Sequence, residues 1–527
     1  MKYLIVFLSF TCCFGQNDSL YFEQALNNGR QANEAFRRSN MYLHGWLAKR
    51  DPVSGLIPRN LNEGKDQWNA QDAAADNYPF MVLTASFTDR KTFETTMPEM
   101  LRSEERLTSR IGKCPATYSF SKRGFSDKVA DTGNVIFGSA EYMKDGLLPL
   151  TEWLGPSPWC DRMIGILGDL HKITGLVRSI KGNYLGGVPA FEANGDLLQV
   201  LSRMYWMTEN DEYLRWAEEI GDYYLLGENH PTNNSDYLRL RDHGCEMVLG
   251  LCELYAMTHY VDPLKAEKYR EPVIQMLDCI LEKGRNKDGF FYNTINPKSG
   301  QILDSALADT WGYILDGYYI MYTIENKRQY NEAVLKLMGN LPKYRNYLWE
   351  GSSSDGYADA IESAINLYNR EPVSVVPAWI DSEIKVMWAK QQPDGIIEGW
   401  HGDGNFARTS VLYALWKTQG VRVADWRSDV TLGCVRKDKK LYISLYAKDA
   451  WSSTLIFDKP RHEENLHLPF DYTRINQFPE WTTIYEKMFY ALKDNGREVT
   501  FSGKELIDGI PVALKAGEEK RMVLLIP

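Results

Sequence analysis

The sequence predicts a mainly α-helical fold, an (α/α)6–7 toroid followed by a small C-terminal β-sandwich, and three observations predict it. A turn-and-strand unit containing Gly recurs, each time leading into an aromatic and acidic cluster and then an apolar helix. Repeats at this scale indicate an array of helical hairpins. Amphipathic stretches alternate with stretches that are apolar on most faces, as outer and inner helices do. Near Val421 the pattern shortens to the two-residue alternation of strands.

The chain opens with Lys2, an apolar run from Tyr3 to Phe10, and small residues in Cys13-Phe14-Gly15. This reads as a secretory signal peptide over 1–15 that leaves Gln16 first. The run is too short to span a bilayer. Lipidation at Cys12 or Cys13 is the alternative, which Phe10 and Thr11 fit poorly. No other segment has transmembrane length and apolarity, so an exported, soluble protein, periplasmic or secreted, is expected.

The toroid is expected over 16–424. Stretches 19–49, 91–110, 160–178, 211–226 and 263–283 read as outer helices. Stretches 71–86, 133–148, 190–207, 244–258, 305–322, 358–368 and 405–417 read as inner ones. The β-sandwich is expected over 425–527, on the alternation in 430–435, 441–446, 451–457 and 521–526.

The recurring unit carries the functional signal. Ser54-Gly55-Leu56 precedes Trp68-Asn69-Ala70-Gln71-Asp72 and Asp76; Asp288-Gly289-Phe290 precedes Asp304, Asp309 and Trp311; Asp394-Gly395-Ile396 precedes Trp400-His401-Gly402-Asp403. If the array closes, these acids and aromatics meet on one rim. Aromatics make up 13% of the chain, enough to serve core packing and sugar stacking alike. A net charge of −10 without a basic stripe argues against a nucleic-acid partner.

Six Cys follow the signal segment, too scattered for a disulfide scaffold, and small buried thiols are the default. No metal-ligand spacing, phosphate loop, dinucleotide fingerprint or nucleophile elbow is present, so neither a metal nor a cofactor is expected. Asp161, Asp169 and His171 read as a solvated helix face.

The densest polar cluster, Asn233 to Glu246, holds Tyr237, Arg239, Arg241, Asp242 and His243 just ahead of an apolar helix. Capping and surface ion pairs explain it on structural grounds; an acid or base with an Arg clamp for a carboxylate explains it functionally. Glu192 and Asp196 share a helix face, as do Asp72 and Asp76, and paired carboxylates can divide acid and base work. Asp355 with Asp359 completes the set.

With its hairpin alternation, its Gly-aromatic turns, Trp68-Asn69-Ala70-Gln71-Asp72 and Arg241-Asp242-His243-Gly244, the chain resembles the six-hairpin glycosidase superfamily. Within that group it looks most like exo-acting glycosidases that remove uronic acids from complex polysaccharides, such as glycoside hydrolase family 154. The arabinofuranosidases with a zinc-bound Cys share the architecture, but their clustered Cys ligands do not occur here.

The expectation is therefore an exported exo-glycosidase acting on an acidic oligosaccharide and releasing glucuronic acid or its unsaturated form. Asp242 and Glu192 are the expected catalytic carboxylates, with Asp76 next. Arg239, Arg241 and His243 are expected to recognise the sugar acid, Trp311 and Trp400 to stack, and Asn69, Asp72 and His401 to bind substrate. Two alternatives stay open: a polysaccharide lyase using Asn233, Asn234, Tyr237, Arg241 and His243, and a non-catalytic glycan-binding protein.

Overall fold

A computed structural model describes residues 16–174, 184–185, 188–242, 244–494 and 496–527. The expected signal peptide and His243 lie outside the described residues. The described residues form two compact units: a helical one within Arg38–Leu412 and Arg461–Pro479, and one of those from Gln16 to Arg37, in Tyr413–Pro460 and in Glu480–Pro527. The units interleave along the sequence instead of meeting at one boundary.

The helical unit is an α/α toroid. Its inner helices are Tyr78–Thr88 (preceded by a π-helical turn, Ala70–Asn77), Thr132–Glu141, Ala190–Thr208, Gly244–Val261, Trp311–Glu325, Ser354–Arg370 and the start of Asn405–Thr418. Each packs on the next in this order. The Thr409 hydroxyl donates to the Ala358 carbonyl (3.1 Å), joining the last two. The circle closes where the Arg408 guanidinium lies 5.6 Å from the Phe80 ring and Gly404 packs against the Asp76 carbonyl. Among the described residues the ring thus holds seven inner helices.

The inner helices are inner because their sequences leave no polar face. Gly244–Val261 is buried continuously from Gly244 to Thr258. Its approach to Ala190–Thr208 depends on two glycines. A Cβ at Gly195 would stand 2.5 Å from the Met247 nitrogen, and one at Gly250 2.7 Å from the Gly195 carbonyl. The outer helices, among them Thr96–Thr108 and Asp211–Gly221, are amphipathic as their sequences require. Arg328–Asn340 and Val376–Trp388 complete the outer set. One expected boundary is corrected: 305–307 belongs to strand Ile302–Leu307, paired with Tyr292–Ile295, and the helix starts at Trp311.

Arg461–Pro479 joins the helical unit through buried ion pairs. The fully buried Arg474 forks onto Glu152 through Nε and Nη2, both at 2.8 Å, and its Nη1 reaches Asp471 at 2.8 Å. A guanidinium with every side of its fork engaged tolerates burial; the same carboxylate left alone would not.

The other unit is a β-sandwich. An antiparallel five-stranded sheet runs in the order Val430–Lys437, Lys440–Ala447, Glu519–Leu525, Phe489–Asp494, Arg497–Ser502. A three-stranded sheet of Arg422–Val423, Trp451–Ile456 and Ile510–Leu514 provides the second layer. Alternate residues such as Leu441, Ile443 and Leu445 fill the core, as the period-two pattern dictates. The N-terminal helix joins this unit: Phe22 meets Tyr442 edge-on (5.4 Å) and the Asn28 amide donates to the Cys434 carbonyl (2.8 Å). All six described cysteines are free thiols, and no described helix is long and apolar enough to cross a membrane.

Replacing Arg474 with Ala strands the buried Glu152 carboxylate. The expected loss is about 3–5 kcal/mol of stability in the helical unit, read as a lower chemical-denaturation midpoint; an unchanged midpoint would refute the role given to this pair.

Candidate active site

The repeated turns shape one end of the toroid. Gly55, Gly289 and Gly395 adopt φ of +78°, +105° and +91°, which L side chains avoid. Each turn is locked by its own side chains: the Asn286 amide oxygen accepts three successive backbone N–H groups, from Asp288 to Phe290. These turns deliver the N-terminal ends of the inner helices to a cavity of about 790 Å³ in the helical unit. Its lining includes eleven Asp or Glu residues and only five Lys or Arg.

Two π-helical turns contribute to the wall. Ala70–Asn77 presents Asp72 and Asp76, and Tyr142–Leu147 presents Lys144 and Asp145. Extra backbone in a helix re-aims side chains, and such turns recur at functional sites. Asn69 begins the first: its oxygen accepts from the Ala73 N–H and its amide donates to Asp72.

Three non-glycine cavity residues sit at positive φ: Asp242 (+30°), Glu350 (+45°) and Ser352 (+74°). Such positions cost on the order of 1–3 kcal/mol each and cluster where function fixes them. Asp242 is ion-paired with Arg239, and its backbone N–H donates to the Thr310 hydroxyl (3.1 Å). Glu350 accepts from the Ser353 hydroxyl (2.6 Å). Desolvation raises the proton affinity of Glu350 against the effect of that hydrogen bond, and the Asp242 and Asp359 charges raise it further.

Asp355 and Asp359 stand one turn apart on Ser354–Arg370. Asp355 accepts from Asn405 (2.7 Å); desolvation and then the Asp359 charge hold its carboxyl well above the usual range. Asp359 accepts from Tyr313 (2.9 Å) and Arg408 (2.8 Å), yet desolvation outweighs both and its proton affinity is also raised. Beneath them, buried Asp309 is raised well above the usual range by desolvation, then by Asp359, Glu350 and Asp242. Burial and mutual repulsion thus push several carboxyl groups of this site toward the protonated form.

The structure brings most of the expected residues together. Asp76, Asp72, Arg239, Asp242, Trp400 and His401 all line the cavity. Burial alone would lower the His401 proton affinity, but the Asp76, Asp72 and Asp403 carboxylates raise it overall, and Nε2 lies 3.7 Å from Asp76. The donor atoms of Asp72, Asp76 and His401 lie within 4.8 Å of one another, a spacing that could hold a cation. Arg59, paired with Asp72, already brings one positive charge to this cluster. Trp400 is 74% exposed, with the Arg59 guanidinium 4.4 Å from its ring centroid.

Other expectations are corrected. Trp311 is fully buried against Phe290, because it opens the apolar helix Trp311–Glu325, and has no face to offer a sugar. Glu192 does not line the cavity; it is buried with its carboxylate 3.5 Å from Arg239 Nη1, where it positions that guanidinium. Arg241 and Asn69 do not line the cavity either, Asn69 being consumed as a helix cap. Asn233, Asn234 and Tyr237 are exposed away from the cavity wall. On the helix face expected to be solvated, His171 instead stacks on Trp216 at 3.7 Å.

Sequence reasoning missed Glu350 and Lys144. Glu350 follows buried Trp349 in a loop without periodicity, and its positive φ has no sequence signature beyond the adjoining Gly351. Lys144 lies in an apolar helical run, where a lysine that holds Asp145 (2.7 Å) and Glu246 (2.6 Å) is itself a signal of paired burial.

The sequence matches no protein-family model and no curated protein. Solved structures similar to this chain include a glycoside hydrolase family 76 mannosidase from Bacteroides thetaiotaomicron (10% identity, 73% of this chain and 99% of that one, TM-score 0.39). A family 127 β-arabinofuranosidase is 13% identical over 96% of this chain and 78% of that one (TM-score 0.37). The unsaturated glucuronyl hydrolase of Bacillus sp. GL1 is 12% identical over 55% and 86% respectively (TM-score 0.36).

Asp309 gives the site a pH signature. Its carboxyl keeps a proton in the folded chain that the unfolded chain loses near pH 4. Its contribution to stability is complete below about pH 4 and declines as pH rises toward the folded value. Asp309→Asn removes this decline while keeping the acceptor oxygen bonded to the Thr310 N–H. Thermal melts from pH 4 to 9 are expected to fall less steeply for Asp309→Asn than for the native chain; parallel slopes would contradict a protonated Asp309.

Proposed function

We propose that the protein is an exported exo-acting glycoside hydrolase whose substrate is an acidic oligosaccharide, from which it releases a glucuronic acid or its unsaturated form. One observation carries the reading. Asp242, ion-paired to Arg239, and Glu350, with its raised proton affinity, line the same cavity and interact electrostatically. A carboxylate held in an ion pair beside a carboxyl of raised proton affinity is the pairing that acid–base hydrolysis of a glycoside requires.

In this reading Glu350 donates its proton to the glycosidic oxygen as the bond to the anomeric carbon breaks. Asp242 takes a proton from water, whose oxygen bonds to that carbon. The products together contain one added water. Arg239, steadied by Glu192, orients Asp242, and Trp400 offers an exposed aromatic face at the cavity mouth. Tyr313 is a poor base for the rival β-elimination, since burial holds its hydroxyl well above its ordinary value and it donates to Glu362 (2.6 Å) and Asp359. The domain assignment follows the same reading, with the chemistry in the helical unit and the sandwich as its companion.

Asp242→Asn and Glu350→Gln each remove one proton-transfer partner while preserving shape. Each is expected to lower kcat by roughly 10²–10⁴-fold on uronic-acid-terminated oligosaccharides, with the circular-dichroism spectrum unchanged. Near-native turnover in either variant would remove that residue from the mechanism.

A further inference from the structure

The five cations of the cavity are not equivalent. Arg59 is paired with Asp72, and Lys144 with Asp145 and Glu246. Arg239 is paired with Asp242 and Glu192, and Arg408 with Asp359 (2.8 Å) and Glu362 (2.9 Å). A guanidinium or ammonium already neutralised by a carboxylate has little left to offer a substrate anion.

Lys390 is the exception. Its Nζ donates to the Ser352 carbonyl (2.7 Å) and to the Ser352 hydroxyl (3.0 Å), and it lies 4.9 Å from the Tyr357 ring centroid. Among the described residues no carboxylate comes within ion-pair distance of it. An ammonium has three N–H donors, and two are engaged here, both by neutral oxygens of one residue. Partial burial disfavours its charge, with no acid nearby to restore it. Ser352, its anchor, is one of the three positive-φ residues of the cavity and lies two positions from Glu350. The lysine thus lines the same cavity as the reacting carboxyls with one donor and its whole charge uncommitted.

We propose that Lys390 is the specificity-determining cation of the site: its ammonium binds the carboxylate of an acidic sugar, and this contact makes the cavity select a uronic acid over the neutral hexose of the same shape. The assignment rests on the glycosidase reading for where the sugar sits. It moves acid recognition away from Arg239, which is committed to Asp242 and Glu192. The neighbouring ring of Tyr357 and the carbonyl of Ser352 fix the ammonium without neutralising it, so a bound carboxylate is its first full counter-charge.

Binding tests this without reference to turnover. Calorimetric titration with D-glucuronate and with D-glucose is run on the native chain, Lys390→Gln and Lys390→Arg. The native chain is expected to bind glucuronate roughly 10–100-fold more tightly than glucose. Lys390→Gln should lose that preference with its melting temperature unchanged, and Lys390→Arg should keep most of it. A native chain that binds neither sugar or does not discriminate, or a preference that survives in Lys390→Gln, overturns the proposal. Lys390-dependent glucuronate binding in a chain that releases no sugar would overturn the hydrolase reading and leave this one standing.

Discussion

Eleven carboxyl groups cannot share one partly desolvated cavity as eleven charges, and the rest of the site follows from how that repulsion is relieved. Four cations relieve part of it by pairing with specific acids. A raised proton affinity relieves more, at Glu350, Asp355, Asp359 and the buried Asp309. The result is a gradation, from carboxylates locked in ion pairs to carboxyls of raised proton affinity. A catalytic acid and a catalytic base are two points on that gradation, so the chemistry needs no feature foreign to the electrostatics of the cavity.

The scaffold makes this arrangement affordable by fixing it rigidly. Inner helices that approach through Gly195 and Gly250 leave no slack for acids to swing apart. π-helical turns and positive-φ residues aim individual side chains that a regular helix would point elsewhere. Away from the cavity, the buried Arg474 fork on Glu152 and Asp471 ties Arg461–Pro479 into the unit, and that segment brings Asn476 to the cavity and to Arg408 (2.6 Å). Structural and functional ion pairs are thereby parts of one network.

Much of the fold was legible because burial writes itself into periodicity. The continuous apolar run of Gly244–Val261 and the alternation through Lys440–Ala447 each admit one environment. The convergence of acids was legible for a related reason: Gly55, Gly289 and Gly395 mark equivalent turns, and Asp76, Asp242 and His401 follow them or their helical counterparts. What periodicity could not separate was a side chain facing the cavity from one facing the core beside it. Trp311 and Trp400 look alike in sequence, yet one is sealed by Phe290 and the other projects into solvent. Glu350 and Lys390 lay in irregular or amphipathic stretches, and their significance depends on partners distant in the chain or absent from it. Glu192 was recognisable as a helix-start acid, but only three-dimensional contact shows that it serves Arg239.

The central claim is that these carboxyls add water across a glycosidic bond. The most direct measurement is a reaction in heavy-oxygen water with a saturated uronic-acid-terminated oligosaccharide, following the product by mass spectrometry and ultraviolet absorbance together. The account predicts a released monosaccharide carrying one heavy oxygen at its anomeric position and no new absorbance. A product without heavy oxygen, with the absorbance of a new conjugated double bond, would mean elimination and would contradict the roles given to Asp242 and Glu350.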